Sequence, residues 1–352
     1  MFFFSQHAIS AKYGTTWTGK ILASVHALGN AADVSGATAD DIHAQIAQLP
    51  AGEPACLVGG YDQIPPFMRP NPTYHLDGDE DDQIPTDSPY GAAPGQPFEE
   101  YVPSRAVCRI PDGATPDPAS FLKILSFQQK APTTATPGGT FEEGAAEFFG
   151  ALGYVHGTIP GADPAGPRLS PPSTIDDADL PQRMTQKGRA HVLLHGANHS
   201  PQWAYLFGHD VNAAPTDFQE ALSCRVIDLC DLRGCIVTFS SCYAAMLDTG
   251  ESEAPGRTEA NQVALACLGH GAKVVYGATR SNWIDTTDPC DSLGPRLSAE
   301  IWRALATGVH AAEALRKAKE TFLATLVDKQ DIPYGRKTLL QFQCYGHPDG
   351  SL

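Results

Sequence analysis

Two strand-like runs in this chain end in groups that can do nucleophilic chemistry. Cys235-Ile-Val-Thr-Phe-Ser-Ser-Cys242 is apolar and β-branched until two serines lead to a thiol, and an uncharged run of this kind reads as a strand buried on both faces. His191-Val-Leu-Leu-His195-Gly196 has the same design and ends in an imidazole and a glycine. The endings lie 47 positions apart, from 195 to 242, room for one crossover between parallel neighbours whose carboxyl ends share a rim. A thiol and an imidazole on one rim form a Cys/His dyad, in which the base activates sulfur for attack on an acyl carbon. A lone cysteine after a strand is more often a small core residue. The pairing of two such endings is what points to catalysis.

Other histidines compete for the role of base. Val155-His156-Gly157 is a second His-Gly ending, but Ala151-Leu-Gly-Tyr-Val before it is poorer strand material than Val192-Leu-Leu. His199 and His209 read as surface or cleft-lining residues. The loop Ala197-Asn-His-Ser-Pro-Gln-Trp203 follows His195 directly, which places Asn198 and Trp203 to line a cleft. Asn198 or an acidic group would orient the ring.

The elements that must position these groups alternate along the chain. Trp17, Ile21, Leu22, Val25 and Leu28 share one helical face, and Ile42, Ile46 and Leu49 share another after a Thr38/Asp41 start. Ala55-Cys-Leu-Val-Gly-Gly60 and Ser104-Arg-Ala-Val-Cys-Arg-Ile-Pro111 read as strands, and Asp117 caps a helix begun by Pro118. Thr140-Phe-Glu-Glu143 has the form of a capping box opening a helix with Phe148, Phe149 and Leu152 inward. Lys273-Val-Val-Tyr-Gly277 is a further strand, two long helices follow, and Leu339-Leu-Gln-Phe-Gln-Cys344 closes the chain as a strand. Such alternation predicts an α/β fold with a mostly parallel sheet covered on both faces. A subdomain boundary is expected near Asp117, dividing residues 1–117 from 118–352.

Composition narrows the partners. The chain has 352 residues and a formal net charge of −16, with no Lys/Arg block to offset it, which argues against nucleic acid and suits a basic substrate segment. Nine cysteines, an odd number without a CxxC pair or zinc spacing, read as thiols of a reducing compartment. The start Met1-Phe-Phe-Phe-Ser lacks a basic n-region, and no apolar run approaches the roughly 20 residues of a membrane span. A cytoplasmic protein without a cofactor is expected. The acidic run Asp77-Gly-Asp-Glu-Asp-Asp82 reads as a solvated loop. Its carboxylates could hold calcium, although the spacing lacks the Gly and Glu of the helix-loop-helix calcium site.

Together these residues carry a family likeness. Val-Leu-Leu-His195-Gly196 and Val-Thr-Phe-Ser-Ser-Cys242 resemble the two blocks of the cysteine peptidases of the caspase-haemoglobinase fold (clan CD), and the order of further blocks is similar to gingipain-type members. Those blocks are Leu57-Val-Gly-Gly-Tyr-Asp-Gln-Ile-Pro65, Thr86-Asp-Ser-Pro-Tyr90, Ser104 to Pro111, Gly277-Ala-Thr-Arg-Ser-Asn-Trp283 and Cys344-Tyr-Gly-His-Pro348, over most of residues 55–352. The resemblance implies a three-layer α/β/α caspase-haemoglobinase-like sheet with a smaller N-terminal α/β subdomain. It also implies Cys242 as nucleophile, His195 as general acid/base, the N–H groups of Gly196 and Cys242 as oxyanion hole, and Trp283 as a wall of the substrate pocket.

The likeness has departures. Gly-His-Pro stands where the family has Gly-Asp-Pro, no strand is evident before Phe141, and Ser240 occupies the position where related enzymes carry an acid that holds a basic substrate side chain. A preference for Arg or Lys is therefore not expected from the sequence. The function that follows is a cysteine endopeptidase acting on polypeptides through a thioester acyl-enzyme, with a regulatory protein as a second class of partner and self-cleavage in the polar 248–257 loop as an option. The rival is an inactive peptidase-like scaffold that binds a protein through the same cleft. An α/β-hydrolase is disfavoured, because no G-x-S-x-G elbow is present and imidazole precedes nucleophile.

Overall fold

The computed structural model describes residues 1–93, 101–129, 138–199, 201–247, 256–282, 284, 292–326 and 332–352. In chain order its strands and helices begin with β1 (Phe2–Phe4), α1 (Gln6–Tyr13), α2 (Thr15–His26), β2 (Ala31–Asp33), α3 (Ala39–Ile46), β3 (Ala55–Val58), β4 (Phe67–Pro70), β5 (Gln83–Thr86), β6 (Val107–Ile110) and α4 (Pro118–Gln129). They continue with β7 (Thr140–Ala145), α5 (Phe149–His156), β8 (Arg168–Ser170), α6 (Leu180–Met184), β9 (Arg189–Leu193), β10 (His195–Gly196), β11 (Tyr205–Gly208), β12 (Gln219–Ser223), α7 (Cys224–Ile227) and β13 (Ile236–Phe239). The last are α8 (Val263–Gly269), β14 (Val274–Ala278), α9 (Leu293–Ala306), α10 (Ala311–Thr325), α11 (Ile332–Gln341) and β15 (Phe342–Gly346).

Ten strands form one sheet in the order β2-β1-β3-β6-β15-β14-β13-β9-β7-β8. Four strands from residues 2–110 make one end and six from residues 140–346 the other, meeting where Tyr345 lies opposite Arg109. Within the larger set β14, β13, β9, β7 and β8 are mutually parallel, and β15 runs antiparallel to β14. Helices cover both faces: α9 packs on α5, α10 and α11, while α2, α4, α8 and α7 form a second contiguous layer. This is the mostly parallel α/β/α sheet that the alternation of elements predicts. Among the described residues no helix is long and apolar enough to cross a membrane.

The sheet is held by apolar strands with a few polar ties to the helices. Every residue of β3, β6 and β13 is buried, so these strands carry no solvent face and need none of the alternation of a half-buried strand. Trp302 of α9, fully buried, donates through Nε1 to Thr238 Oγ1 of β13 at 3.1 Å, and truncating such a side chain to Ala costs about 3–5 kcal/mol.

Four local readings differ from the structure. Phe2–Phe4, read only as too short for a leader, is a buried strand between β2 and β3. Thr140–Glu143 is not a helix start but the beginning of β7. Its neighbouring carboxylates point to opposite faces, where Glu142 meets His156 at 3.0 Å and Glu143 faces Arg168 at 3.7 Å, and these tertiary partners outweigh the local cap. Ala151–Val155 is helical, within α5. Leu339-Leu-Gln belongs to the end of α11, and the closing strand starts at Phe342.

Candidate active site

The two chemical endings stand side by side. β9 and β13 are parallel neighbours with Val192 opposite Phe239, so His195 and Cys242 each leave the same rim three residues beyond a matched pair. Small residues make the exit from β13 possible. Ser240 N–H continues the ladder to Val192 O at 2.9 Å, and Ser241 Oγ accepts from Leu194 N at 3.2 Å. Gly196 then passes against the Cys242 turn so closely that a Cβ there would overlap the Cys242 carbonyl oxygen. Only glycine fits that approach.

Cys242 is the partly exposed thiol among eight described cysteines, the other seven being buried. Its sulfur accepts from Asn282 N–H at 3.1 Å. Burial pushes the thiol pKa up, and the Asn282 N–H, the charge of Lys337 and the Gly196 N–H oppose that in turn, with a net upward shift. The Cys242 N–H has no acceptor among the described residues, as an oxyanion donor awaiting substrate would. Tyr243 follows at φ +55°, a left-handed conformation that costs a bulky residue about 1–3 kcal/mol. It is held there by Tyr243 N to Arg280 O at 3.1 Å and by its hydroxyl donating to Asp81 at 2.8 Å.

The imidazole is placed by side chains instead. His195 Nε2 bonds Glu147 Oε1, and the other oxygen of Glu147 accepts from His209 Nδ1 at 2.9 Å. Phe148 and Phe218 wall the ring at centroid distances of 4.7 and 5.0 Å. Burial lowers the His195 pKa, with the Glu147 hydrogen bond and charge opposing. A neutral ring that donates through Nε2 keeps Nδ1 as its basic nitrogen, and Nδ1 has no partner among the described residues. His209 also meets Ala214 O through Nε2 at 3.0 Å. Two acceptors require two N–H donors, so the carbonyl of Ala214 and then Glu147 raise its pKa. Imidazole and sulfur share no hydrogen bond among the described residues, and the resting pair is thiol and neutral ring.

The other sequence-named residues are distributed unevenly. Asn198 is exposed, but its Oδ1 bonds His199 Nδ1 at 2.9 Å rather than the His195 ring. Trp203 is buried under Arg257, whose guanidinium lies 4.4 Å from the ring centroid, so it supports the loop from beneath. Ser240 is fully buried and its hydroxyl meets Ser298 of α9 at 2.7 Å. The expectation that it faces substrate is corrected by strand alternation, which turns it into the helix layer. Trp283 and most of the 248–257 loop, residues 248–255, lie outside the described residues. His156 is tied to Glu142 at the end of α5. His209, read as a surface or cleft-lining group, is the second imidazole on Glu147.

The acidic run is no solvated loop throughout. Asp79 pairs with Lys337 and accepts from Thr73 Oγ1 at 2.6 Å and Asn71 Nδ2 at 2.9 Å. Among the described residues no group of three or more His, Cys, Asp or Glu could hold a metal ion. The departure at Gly346-His347-Pro348 lies at the far edge, since Gly346 pairs with Val274 at the start of β14, whereas Asn282 follows its end. Sequence reasoning missed Glu147 and Asn282. The signal for Glu147 was its place two residues past a run that aligns beside β9, the same offset as His195 from Leu193, hidden because that run was read as helix.

No protein-family profile matches the chain, and no curated protein matches it by sequence. Solved structures match by shape. The Arg-specific cysteine proteinase gingipain R superposes with a TM-score of 0.63 at 11% identity, over 100% of this chain and 78% of its own. The complex of Porphyromonas gingivalis RgpB pro- and mature domains gives 0.64 at 12% identity, over 100% and 79%. The likeness in shape thus extends over the whole chain, beyond the 55–352 region carried by sequence blocks. The chain has the caspase-haemoglobinase fold of the gingipain-type cysteine peptidases.

Proposed function

We propose that the chain is a cysteine endopeptidase in which Cys242 is the nucleophile and His195 the general acid/base. The observation that carries this reading is the shared rim: a partly exposed cysteine whose sulfur receives backbone N–H groups, beside an imidazole whose Nε2 is held by a carboxylate. With both groups neutral at rest, substrate binding precedes proton transfer. Cys242 Sγ attacks the peptide carbonyl carbon while its proton passes to His195 Nδ1. The N–H groups of Gly196 and Cys242 receive the oxyanion, and one such donor contributes about 3 kcal/mol to the transition state. The C–N bond then breaks as His195 gives the proton to the leaving amine. The remaining thioester is hydrolysed by water that His195 deprotonates, which returns the thiol.

Glu147 orients the ring and stabilises the transient imidazolium. Every step draws on protein groups. Trp283, next in the chain to Asn282, would wall the pocket for the residue before the scissile bond, and exposed Asn198 beside Gly196 would meet the substrate backbone. Residues 118–352 form the proposed catalytic subdomain, and residues 1–117 the N-terminal one. A regulatory polypeptide in the same cleft would be a second partner; the similar RgpB structure is a complex of pro- and mature domains. Residence in the cytoplasm is supported by the eight unpaired thiols.

Cleavage of a diverse peptide pool tests the reading. Wild type should produce fragments and Cys242→Ala none. Equal cleavage by both would remove Cys242 as nucleophile, and no cleavage by either would favour the scaffold.

A further inference from the structure

The acidic run, a surface loop by composition, touches three side chains on two elements around Cys242. Its odd positions do so in turn: Asp77 accepts from Tyr334 of α11, Asp79 pairs with Lys337 of α11, and Asp81 accepts from Tyr243 next to the sulfur. Glu80 and Asp82 between and beyond them are exposed, and a turn at Asp77-Gly78, both at positive φ, brings Asp77 and Asp79 to the same helix. Lys337 Nζ in turn donates to Ser281 Oγ at 2.5 Å, and Asp81 accepts from Ser281 N–H at 3.4 Å. Ser281 precedes Asn282, whose N–H meets Cys242 Sγ at 3.1 Å and whose side chain donates to Ser240 O at 2.9 Å.

We infer that Lys337, seated by Asp79, is a positioning residue for the Cys242 thiolate: it braces the Ser281–Asn282 backbone against the sulfur and supplies a fixed positive charge nearby. The inference rests on Cys242 being the nucleophile. Lys337 and Asp79 have side chains only 6% and 9% exposed. An ion pair withdrawn from water this far is a weak stabiliser compared with apolar residues of equal volume, so its effect lies in what it fixes and in the field it creates. That field is little screened at such depth. The charged groups around the sulfur are Lys337 of α11 and Asp81 of the acidic loop, with the titratable ring of His195 on the same rim. Arg280 lies 3.6 Å from Asp81 and offsets part of its charge. Lys337 favours the thiolate and Asp81 disfavours it. Asp79 moderates Lys337, and its own carboxyl is held below the usual range by the Lys337, Thr73 and Asn71 contacts against the cost of burial.

The two partners therefore act with opposite signs, which a purely structural brace would not do. The test is the pH dependence of iodoacetamide alkylation at Cys242, read by peptide mass so that other thiols do not contribute, on folded full-length protein. Lys337→Met should move the midpoint up by about one pH unit, the scale of one nearby charge, and Lys337→Arg should return it most of the way. Asp79→Asn should move it down, because the lysine charge is then uncompensated. A midpoint unchanged in Lys337→Met, or displaced in the same direction by both neutralising variants, overturns the inference. Peptide cleavage by wild type and Cys242→Ala reports separately on the nucleophile, so failure of that reading and of this one give different results.

Discussion

The sulfur and the imidazole share one rim but are placed by different means. Cys242 is placed by main chain: the close pass of Gly196, the left-handed turn at Tyr243 and the N–H of Asn282. His195 is placed by side chains: Glu147 at one nitrogen, His209 behind it and two phenylalanine rings at its faces. Backbone contacts set a position with little tolerance, because no rotamer can relieve a collision. Side-chain contacts set a protonation state, which charge can tune in steps. Changes to the main chain beside the sulfur should therefore alter rate abruptly, and changes to the side chains around the imidazole should also move the pH dependence.

The largest expected effect is at Gly196. Gly196→Ala puts a methyl group into the Cys242 carbonyl, and a displacement near 1 Å at a reacting centre costs about a hundredfold. Overpacking adds about 1–3 kcal/mol of destabilisation. We expect kcat/KM on a cleaved peptide to fall at least that far while thermal melting stays cooperative. A variant with wild-type kcat/KM would break the contrast at once.

Glu147→Gln should come next, with kcat reduced by up to about a hundredfold as the ring loses its fixed orientation. The sign of the pH effect is separate. Glu147 raises the His195 pKa, so its removal lowers that pKa further. The base form then persists to lower pH, and the acid limb of the rate profile shifts downward. An upward shift would mean that the carboxylate does not act on His195.

His209→Gln should give the smallest change, within about tenfold in kcat, because the amide still donates to Glu147. His209 lowers the His195 pKa by its charge, so this variant should shift the acid limb upward, by less than about one unit. Opposite limb shifts for Glu147→Gln and His209→Gln would sharpen the distinction between the two halves of the site. Equal shifts would erase it.

Legibility followed locality. β13 and β9 were plain in the sequence because an uncharged β-branched run ending in small residues has few other uses, and their endings announced Cys242 and His195. β7 was not legible: Thr-Phe-Glu-Glu satisfies a helix cap by itself, and only His156 and Arg168, from other elements, make it a strand. The acidic run was legible as a loop, but nothing in its composition named Lys337 and Tyr334, more than 250 positions away, as partners. Ser240 was misdirected because the pleat, which decides the face, depends on the register of a neighbouring strand.

By itself the sequence determined which stretches must be buried, that strands and helices alternate into a covered parallel sheet, and that a thiol and an imidazole each close a buried run. These follow from side-chain polarity and short-range periodicity, which need no knowledge of distant residues. Only the tertiary structure decided that Glu147 rather than Asn198 holds the ring, that His209 shares that carboxylate, and that an acidic loop reaches the Cys242 turn. Those outcomes depend on strand order and on pairings between charges far apart in the chain, where desolvation and reach select one partner among many of the same type.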